Sequence, residues 1–366
     1  MINLTSNFKG KRVIITGHTG FKGSWLTIWL IHLGAKIIGI SKDVPTKPSN
    51  FVLSQIKKKI NHNIFDIKNK TKLQKLIIRH KPDYIFHLAA QSLVKKSYAN
   101  PLFTFETNSF GTLNLLEVLK NYNSKKICSV VIITSDKSYK NLELTRGYKE
   151  DDVLGGIDPY SASKACAEIM IQSYFKSFLN KKKNLRISVG RAGNVIGGGD
   201  WSKNRLIPDC IRSIQNKKKL SIRFPNSTRP WQHVLEAIYG YMLLAVKQKK
   251  QKKINGQVFN FGPNNRSSIT VIQIIKEIKS KWKDLDWKIV KIKKGMHESK
   301  LLKLNSTKAF KIIKWKCYLN SNQTIDMVIN WYKYFLNKRE TDMYKYSINQ
   351  IKKFEKILQK KINKKN

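Results

Sequence analysis

The sequence predicts an α/β fold, a doubly wound parallel sheet with a smaller C-terminal domain. Three observations predict it. Short β-branched runs alternate with helix-length segments as far as residue 191, a glycine-rich turn follows the first run, and the alternation breaks down beyond about Val195. Strands alternating with helices place crossover helices on both faces of a parallel sheet. Residues 11–16 (KRVIIT), bounded by Gly10 and Gly17, read as a buried strand. Residues 21–33 have helical length, and Gly34 stands where a left-handed cap belongs. Residues 36–40 form a second strand, and strand-like runs recur at 60–65, 84–88, 127–134 and 186–191, with helical patterns at 69–80, 102–122 and 159–179. Past residue 195, glycine, proline and aromatic residues gather in GGGDW (197–201), RFPNSTRPWQH (223–233) and NFGPNN (260–265). Residues 342–361 have the pattern of an amphipathic helix ending in lysines.

With 366 residues, 41% of them hydrophobic, the chain can bury a substantial core, which sets it apart from disordered sequences. The formal charge of +48, from 71 basic and 23 acidic residues, raises nucleic acid as a partner. The distribution argues otherwise: lysines cluster at 57–59, 181–183, 217–219, 249–253 and 360–361 without forming one basic arm. A solvated surface with no specific nucleic-acid partner is the expectation, and association with an anionic membrane is the remaining alternative. Cys128, Cys166, Cys210 and Cys317 form no C-x-x-C pair and no metal spacing, as expected of free thiols in a reducing compartment. The N-terminus shows no signal-peptide pattern and the apolar runs are too short to span a bilayer, so the chain reads as cytoplasmic.

Gly17-His18-Thr19-Gly20-Phe21-Lys22-Gly23 follows the first strand and opens a helix. In this G-x-x-G-x-x-G spacing the first glycine permits a tight turn, the second admits a pyrophosphate to the backbone, and the third allows close helix–strand contact. The helix N-terminus favours negative charge. The pattern marks a Rossmann-type dinucleotide site, with Thr19, Phe21 and Lys22 lining it. Residues 1–195 are then the cofactor domain. Residues 196–366 are mainly a substrate domain, with segments returning to the first. Asp43, twenty residues after Gly23, can accept a hydrogen bond from a ribose 2′-hydroxyl and so favours NAD over NADP, although Lys42 and Lys47 act against it. Asp66 and Ile67, after the third strand, are placed either to cover the adenine edge or simply to end the strand with a polar residue.

Tyr160 and Lys164 form a Y-x-x-x-K pair on one helix face. A phenol with a pKa of about 10 is a poor base at neutral pH, and a nearby ammonium group favours the phenolate. The glycine loop, HLAAQ (87–91), the Ser135 region and this pair resemble the extended short-chain dehydrogenase/reductases, in their NAD-dependent epimerase/dehydratase group. GHTGFKGSWL (17–26), TSDKSY (134–139), LGGIDPYSASKACAE (154–168), RAGNVIGGGDW (191–201), RLIPD (205–209) and RPWQHVLE (229–236) resemble one branch, the CDP-glucose 4,6-dehydratases.

The resemblance implies NAD as cofactor, with Ala89, Ala90 and Gln91 also lining its site. It implies that Tyr160, with Lys164 and Ser135, removes the C4 hydroxyl proton of the sugar as hydride leaves C4. Lys137, as its neutral amine, then removes the proton from C5, and protonated Asp136 helps the C6 hydroxyl leave as water. Desolvation in a closed site favours a neutral lysine. Arg191, Asn194, Arg205, Arg223, Arg229 and His233 are the candidates for binding the nucleotide sugar. Arg229 is the first choice for its diphosphate, because guanidinium forks suit that group. His297 and Glu298 match a stretch near the nucleotide, and Asn305 stands where the family usually has Asp. A homo-oligomer paired through the helices predicted at 102–122 and 159–179 is also implied. The alternatives are an epimerase or another 4,6-dehydratase, which share the loop and the Tyr–Lys pair, and a non-catalytic dinucleotide-binding protein. Lys137 favours the first reading, since epimerases need no base at C5.

Overall fold

The computed structural model describes residues 3–263, 269–290, 301–337 and 342–363. The first half alternates as the sequence pattern requires. α1 (Leu4–Phe8), β1 (Arg12–Thr16), α2 (Phe21–His32), β2 (Lys36–Ser41), α3 (Asn50–Leu53), β3 (Asn61–Ile64), α4 (Lys70–His80) and β4 (Tyr84–His87) come first. α5 (Val94–Ala99), α6 (Pro101–Phe105), α7 (Gly111–Asn121), β5 (Cys128–Ile133), α8 (Pro159–Tyr174) and β6 (Leu185–Ala192) follow. Gly34 has φ +80°, as expected of a left-handed cap after α2. Two predicted helices are interrupted or extended by π-type turns, at Glu106–Phe110 between α6 and α7 and at Phe175–Leu179 after α8.

The second half is more broken: β7 (Val195–Ile196), α9 (Leu206–Gln215), β8 (Leu220–Ile222), β9 (Thr228–Arg229), β10 (Gln232–His233) and α10 (Val234–Lys250). β11 (Val258–Phe261), β12 (Ile269–Thr270), α11 (Val271–Lys281), β13 (Trp287–Ile289), α12 (Ser321–Asn337) and α13 (Met343–Asn363) complete it.

Seven parallel strands form the main sheet in the order β11-β6-β5-β4-β1-β2-β3. The chain winds outward from β1 to β3 and then restarts at β4 on the other side of β1. The crevice therefore opens at the carboxyl ends of β1 and β4, where Thr16 pairs with His87.

One face of the sheet is covered by α4, α7 and α8 through Leu73, Ile77, Leu115, Leu119 and Ile171. The other carries a larger core in which Trp25, Trp29, Leu244, Trp331 and Phe354 are all buried. Burying one such side chain stabilises the fold by about 1.5–3 kcal/mol. This core runs from Phe8 to Leu358, so the boundary expected near residue 195 does not divide the packing. α10 lies against β5 and β6, and β11 completes the sheet beside β6. Among the described residues no helix is long and apolar enough to cross a membrane.

Candidate active site

The glycine loop is packed too tightly for side chains. Gly17 has φ +76°, and a β-carbon there would lie 2.7 Å from the Ala89 nitrogen. One on Gly23 would lie 2.1 Å from the Gly17 carbonyl oxygen, whereas one on Gly20 would be 3.3 Å from the same oxygen. Gly20 caps α2 without a side-chain hydrogen bond, so the dipole end of a twelve-residue helix faces the crevice without a capping side chain. A dinucleotide pyrophosphate fits such a cradle. Thr19 fastens the loop to the end of β2: its N–H donates to Ser41 Oγ at 3.3 Å and its hydroxyl donates to the Asp43 carbonyl at 2.6 Å. Asp43 is thereby held exposed beside the loop.

His18, inside the loop, is buried between Ser41 Oγ at 3.0 Å and His62 Nδ1 at 2.7 Å. Burial lowers it to about 4, so it is neutral packing. Phe21 reaches toward Gly197 and Val234, where a β-carbon on Gly197 would meet its ring at 3.1 Å.

At the adenosine end, Asp66 accepts the Lys68 N–H at 3.0 Å and faces Lys42 at 3.7 Å. The Ile67 side chain belongs to the core under Gly111, and its carbonyl accepts the Asn114 amide at 3.2 Å. The ammonium groups of Lys42, Lys96 and Lys68 stand 4.7, 5.4 and 5.7 Å from the centre of the Phe103 ring. This end is more cationic than Asp43 alone suggests. Ala89 and Ala90 are half-buried at the mouth of the crevice. Gln91 is turned inward: its backbone is bracketed by the Asn108 amide, and its side chain bonds Leu93 and Thr104. It shapes the loop after β4.

β5 delivers Ser135 to the same crevice. Ser135 Oγ accepts the Lys137 N–H at 3.2 Å and donates to Asp136 Oδ1 at 2.9 Å, which closes a one-turn 3₁₀ segment, Asp136–Ser138. Across from it, Asp158 caps α8 by accepting the Ser161 N–H, and the Tyr160 N–H donates to Ser97 Oγ at 3.1 Å. Burial pushes the Tyr160 phenol up, and a hydrogen bond with Ser135 opposes the rise. Burial also brings Lys164 down to about 8, with Glu168 holding against it. Desolvation of the phenol outweighs the Ser135 hydrogen bond and the Arg205 cation, which favour the phenolate. Burial, joined by the Arg205 and Lys164 cations, lowers Lys22 to about 8 against the Asp136 and Asp200 carboxylates.

Burial raises Asp136 despite Lys137, Ser135, Lys22 and Arg229, and its Oδ2 has no hydrogen-bond partner among the described residues. A carboxyl so placed favours its protonated, donating form. Lys137 is half-buried at the next position. The pocket therefore combines a phenol with hydroxyl and ammonium neighbours, a buried acid, and an amine beside it.

Two expected substrate ligands are corrected. Arg191 has no exposed surface: its guanidinium is ion-paired with Glu168 and lies 4.4 Å from the Tyr139 ring centre, beneath the Asp136–Ser138 turn. His233 is also fully buried, accepts the Leu235 N–H on Nδ1 as the cap of α10, and is lowered by burial to about 3. Arg205 does face the crevice, bonded to Asp200 Oδ2 at 2.9 Å and Ser92 Oγ at 3.1 Å. Arg229 is nine-tenths buried, donates to the Thr228 carbonyl, and lies near enough to Asp136 to stabilise its anion. Asn194 is half-buried and takes the Gln232 N–H on its carbonyl, and Arg223 is exposed just after β8. Asn305 caps its own turn, its Oδ1 accepting the Thr307 N–H at 2.9 Å. His297 and Glu298 lie outside the described residues.

Sequence reasoning missed Glu168, Asp200 and Asn108. Asn108 ties Gln91 to Ser163 of α8. Glu168 carried a readable signal, since it repeats the four-residue spacing of Tyr160 and Lys164.

The family model described as GDP-mannose 4,6 dehydratase matches residues 14–328. A CDP-glucose 4,6-dehydratase of Salmonella typhimurium is 42% identical over 336 residues, covering 90% of this chain and 93% of that protein. A CDP-paratose 2-epimerase of Salmonella typhi is 25% identical over 87% of this chain and 98% of its own length. Among solved structures, a Bacillus anthracis dTDP-glucose 4,6-dehydratase in complex with NAD superposes with TM-score 0.74 at 23% identity, covering 92% of this chain and all of that one. A UDP-glucose 4-epimerase of Stenotrophomonas maltophila with bound NAD gives 0.77 at 17%, covering 89% and 99%. At these identities the superpositions speak for the fold.

Proposed function

The chain belongs to the GDP-mannose 4,6-dehydratase family, and from that premise we propose that it converts CDP-glucose to CDP-4-keto-6-deoxyglucose with NAD as its cofactor. The observation that carries this reading is the single crevice shared by the Tyr160–Lys164 pair and the Ser135–Asp136–Lys137 turn, on a chain 42% identical to a CDP-glucose 4,6-dehydratase.

Gly17, Gly20, Gly23 and the start of α2 would hold the NAD pyrophosphate, and Asp43 its ribose. When bound there, NAD would supply the hydride acceptor for oxidation at sugar C4 and the hydride donor for reduction at C6. Tyr160 accepts the C4 hydroxyl proton, with Ser135 bonded to the phenol. Lys164 in its ammonium form favours the phenolate. Once C4 is a ketone, the C5 proton is acidic and Lys137 removes it. The carboxyl of Asp136, kept protonated by burial, donates to the departing C6 hydroxyl. Arg229 and Arg205 supply positive charge for the diphosphate. The basic surface raises the local concentration of an anionic substrate.

The chain acts in the cytoplasm and assembles as a homo-oligomer in this reading. The apolar side chains left exposed on α6, the following turn and α8, namely Leu102, Phe110 and Ile169, support a helix-paired interface. An epimerase would share the glycine loop and the Tyr–Lys pair but has no use for the Asp136–Lys137 dyad.

Replacing Lys137 with Met separates the two. Lys137→Met enzyme mixed with NAD and CDP-glucose should accumulate reduced cofactor absorbance, because oxidation survives and elimination stalls. Loss of a general base typically costs 10²–10⁴-fold in turnover. Tyr160→Phe should show no absorbance change. Dehydration by Lys137→Met at near wild-type rate would remove Lys137 from the mechanism, and preference for another nucleotide sugar would remove CDP-glucose.

A further inference from the structure

Glu168 is 1% exposed and sits one helical turn beyond Lys164 on α8. Groups from three directions converge on its carboxylate. The Thr134 hydroxyl donates to Oε1 at 2.6 Å, and Ser138 Oγ lies 3.0 Å from the same oxygen. Arg191 on β6 donates through Nε at 2.7 and 3.0 Å and through Nη2. Thr134 and Ser138 are the residues immediately before and after Ser135-Asp136-Lys137, so one carboxylate grips both ends of that turn. Ser138 Oγ is also 2.5 Å from the Ser135 carbonyl, and Arg191 covers the Tyr139 ring and donates to the Glu150 carbonyl at 3.1 Å.

Stability alone does not account for the pair, because a buried ion pair is often no more stabilising than apolar side chains of the same volume. Its location is the distinguishing feature. Glu168 contacts both ends of the turn while sharing a helix face with Tyr160 and Lys164.

We propose that Glu168 is a positioning residue that joins the two parts of the catalytic apparatus, its hydrogen bonds fixing the Ser135–Lys137 turn and its charge holding the Lys164 ammonium group beside Tyr160. The inference relies on the dehydratase reading only for the roles given to Tyr160 and Lys164. The groups acting on Lys164 are Glu168 on its own helix, Lys22 from α2 and His87 from the end of β4. Burial holds His87 near 3, so it is neutral at working pH. Burial favours the neutral amine of Lys164, and Glu168 opposes it. Without the Glu168 charge, Lys164 loses its proton at lower pH.

Two variants test this: Glu168→Gln, which removes the charge and keeps an acceptor for the turn, and Glu168→Asp, which keeps the charge opposite Arg191 and should leave the Lys164 midpoint in place. The Lys164 titration is followed by NMR of protein carrying ¹³C-labelled lysine, with Lys164→Arg to assign the signal. The expected result for Glu168→Gln is a fall of at least about half a pH unit in the Lys164 midpoint. Turnover of CDP-glucose should fall roughly tenfold or more with KM changed by less than about threefold, and the alkaline limb of the rate profile should move to lower pH. A Glu168→Gln midpoint and limb that stay in place, with or without a loss of turnover, would overturn the proposal and leave the pair a matter of folding. Wild-type protein inert toward CDP-glucose would count against the dehydratase reading instead, while the NMR midpoint still decides the role of Glu168.

Discussion

On the cofactor side of the crevice, between β1 and β4, the working surface is backbone and short hydroxyls: three glycines, Thr19, Ser41 and the two alanines after β4. On the substrate side, beyond β5, it is charged side chains taken out of water: Asp136, Lys164 and Arg229, with Glu168 and Arg191 locked beneath them. The first side excludes side-chain volume and depends on steric fit. The second depends on how each buried charge is held. A substitution should therefore fail on the cofactor side according to the volume it adds, and on the substrate side according to the charge it leaves without a partner.

The arginines give the largest contrast. Arg191→Ala strands the Glu168 carboxylate and should lower unfolding stability by about 3–5 kcal/mol, read from chemical denaturation. Arg229→Ala should weaken CDP-glucose binding by about 1.5–3 kcal/mol, read by calorimetry. Arg191→Ala protein as stable as the wild type would mean that the pair with Glu168 does not hold the fold.

The glycines come next. Gly23→Ala forces a β-carbon against the Gly17 carbonyl at 2.1 Å and should cost at least about 100-fold in NAD affinity, or about 2.7 kcal/mol. Gly20→Ala, with 3.3 Å available, should cost about fivefold or less, well under 1.4 kcal/mol. Equal losses would mean the second glycine is needed for reasons other than space.

Asp136→Asn sharpens the charge argument through pH. Burial raises the carboxyl in the folded state, so ionising it destabilises the native protein as pH climbs above the unfolded value of about 3.9. The asparagine variant should lose turnover yet melt on the order of 1–2 °C higher at pH 7. That gain should vanish below about pH 4, where the carboxyl is neutral in both states. A gain that persists at low pH would trace to packing.

Asp43→Ala should have the smallest effect, narrowing an NAD-over-NADP preference by about 1 kcal/mol or less. The three lysines around Phe103 already make that end of the cleft tolerant of a phosphate. NADP bound more tightly than NAD by the wild type would show that they dominate.

The two sides also differed in how far the sequence disclosed them. Glycine spacing, a β-branched run before it and a Tyr–Lys pair one turn apart are local patterns, and the structure places the strand, the turn and the shared helix where those patterns put them. Arg191 was misplaced because β6 is buried along its whole length, leaving no alternation to tell which way a given side chain points. His233 was misplaced because a cap looks like any polar residue until the helix behind it is known. Glu168 was passed over because, in a chain with 71 basic residues, a helical glutamate resembles a surface ion-pair partner. Its partner is 23 residues away, on β6. The π-type turns within the predicted helices left no trace because the apolar pattern runs on through them.

The place of β11 matters before the protein is complete. About 65 residues separate Ala192, the end of β6, from Val258, the start of the strand that pairs with it. At ribosomal rates of about 5–20 residues per second, the growing chain carries β6 with one bare, apolar edge for roughly 3–13 seconds. An edge of that kind is a template for pairing with other chains. The interval between these two strands, more than any interaction in the finished crevice, sets the window in which a nascent chain needs a chaperone.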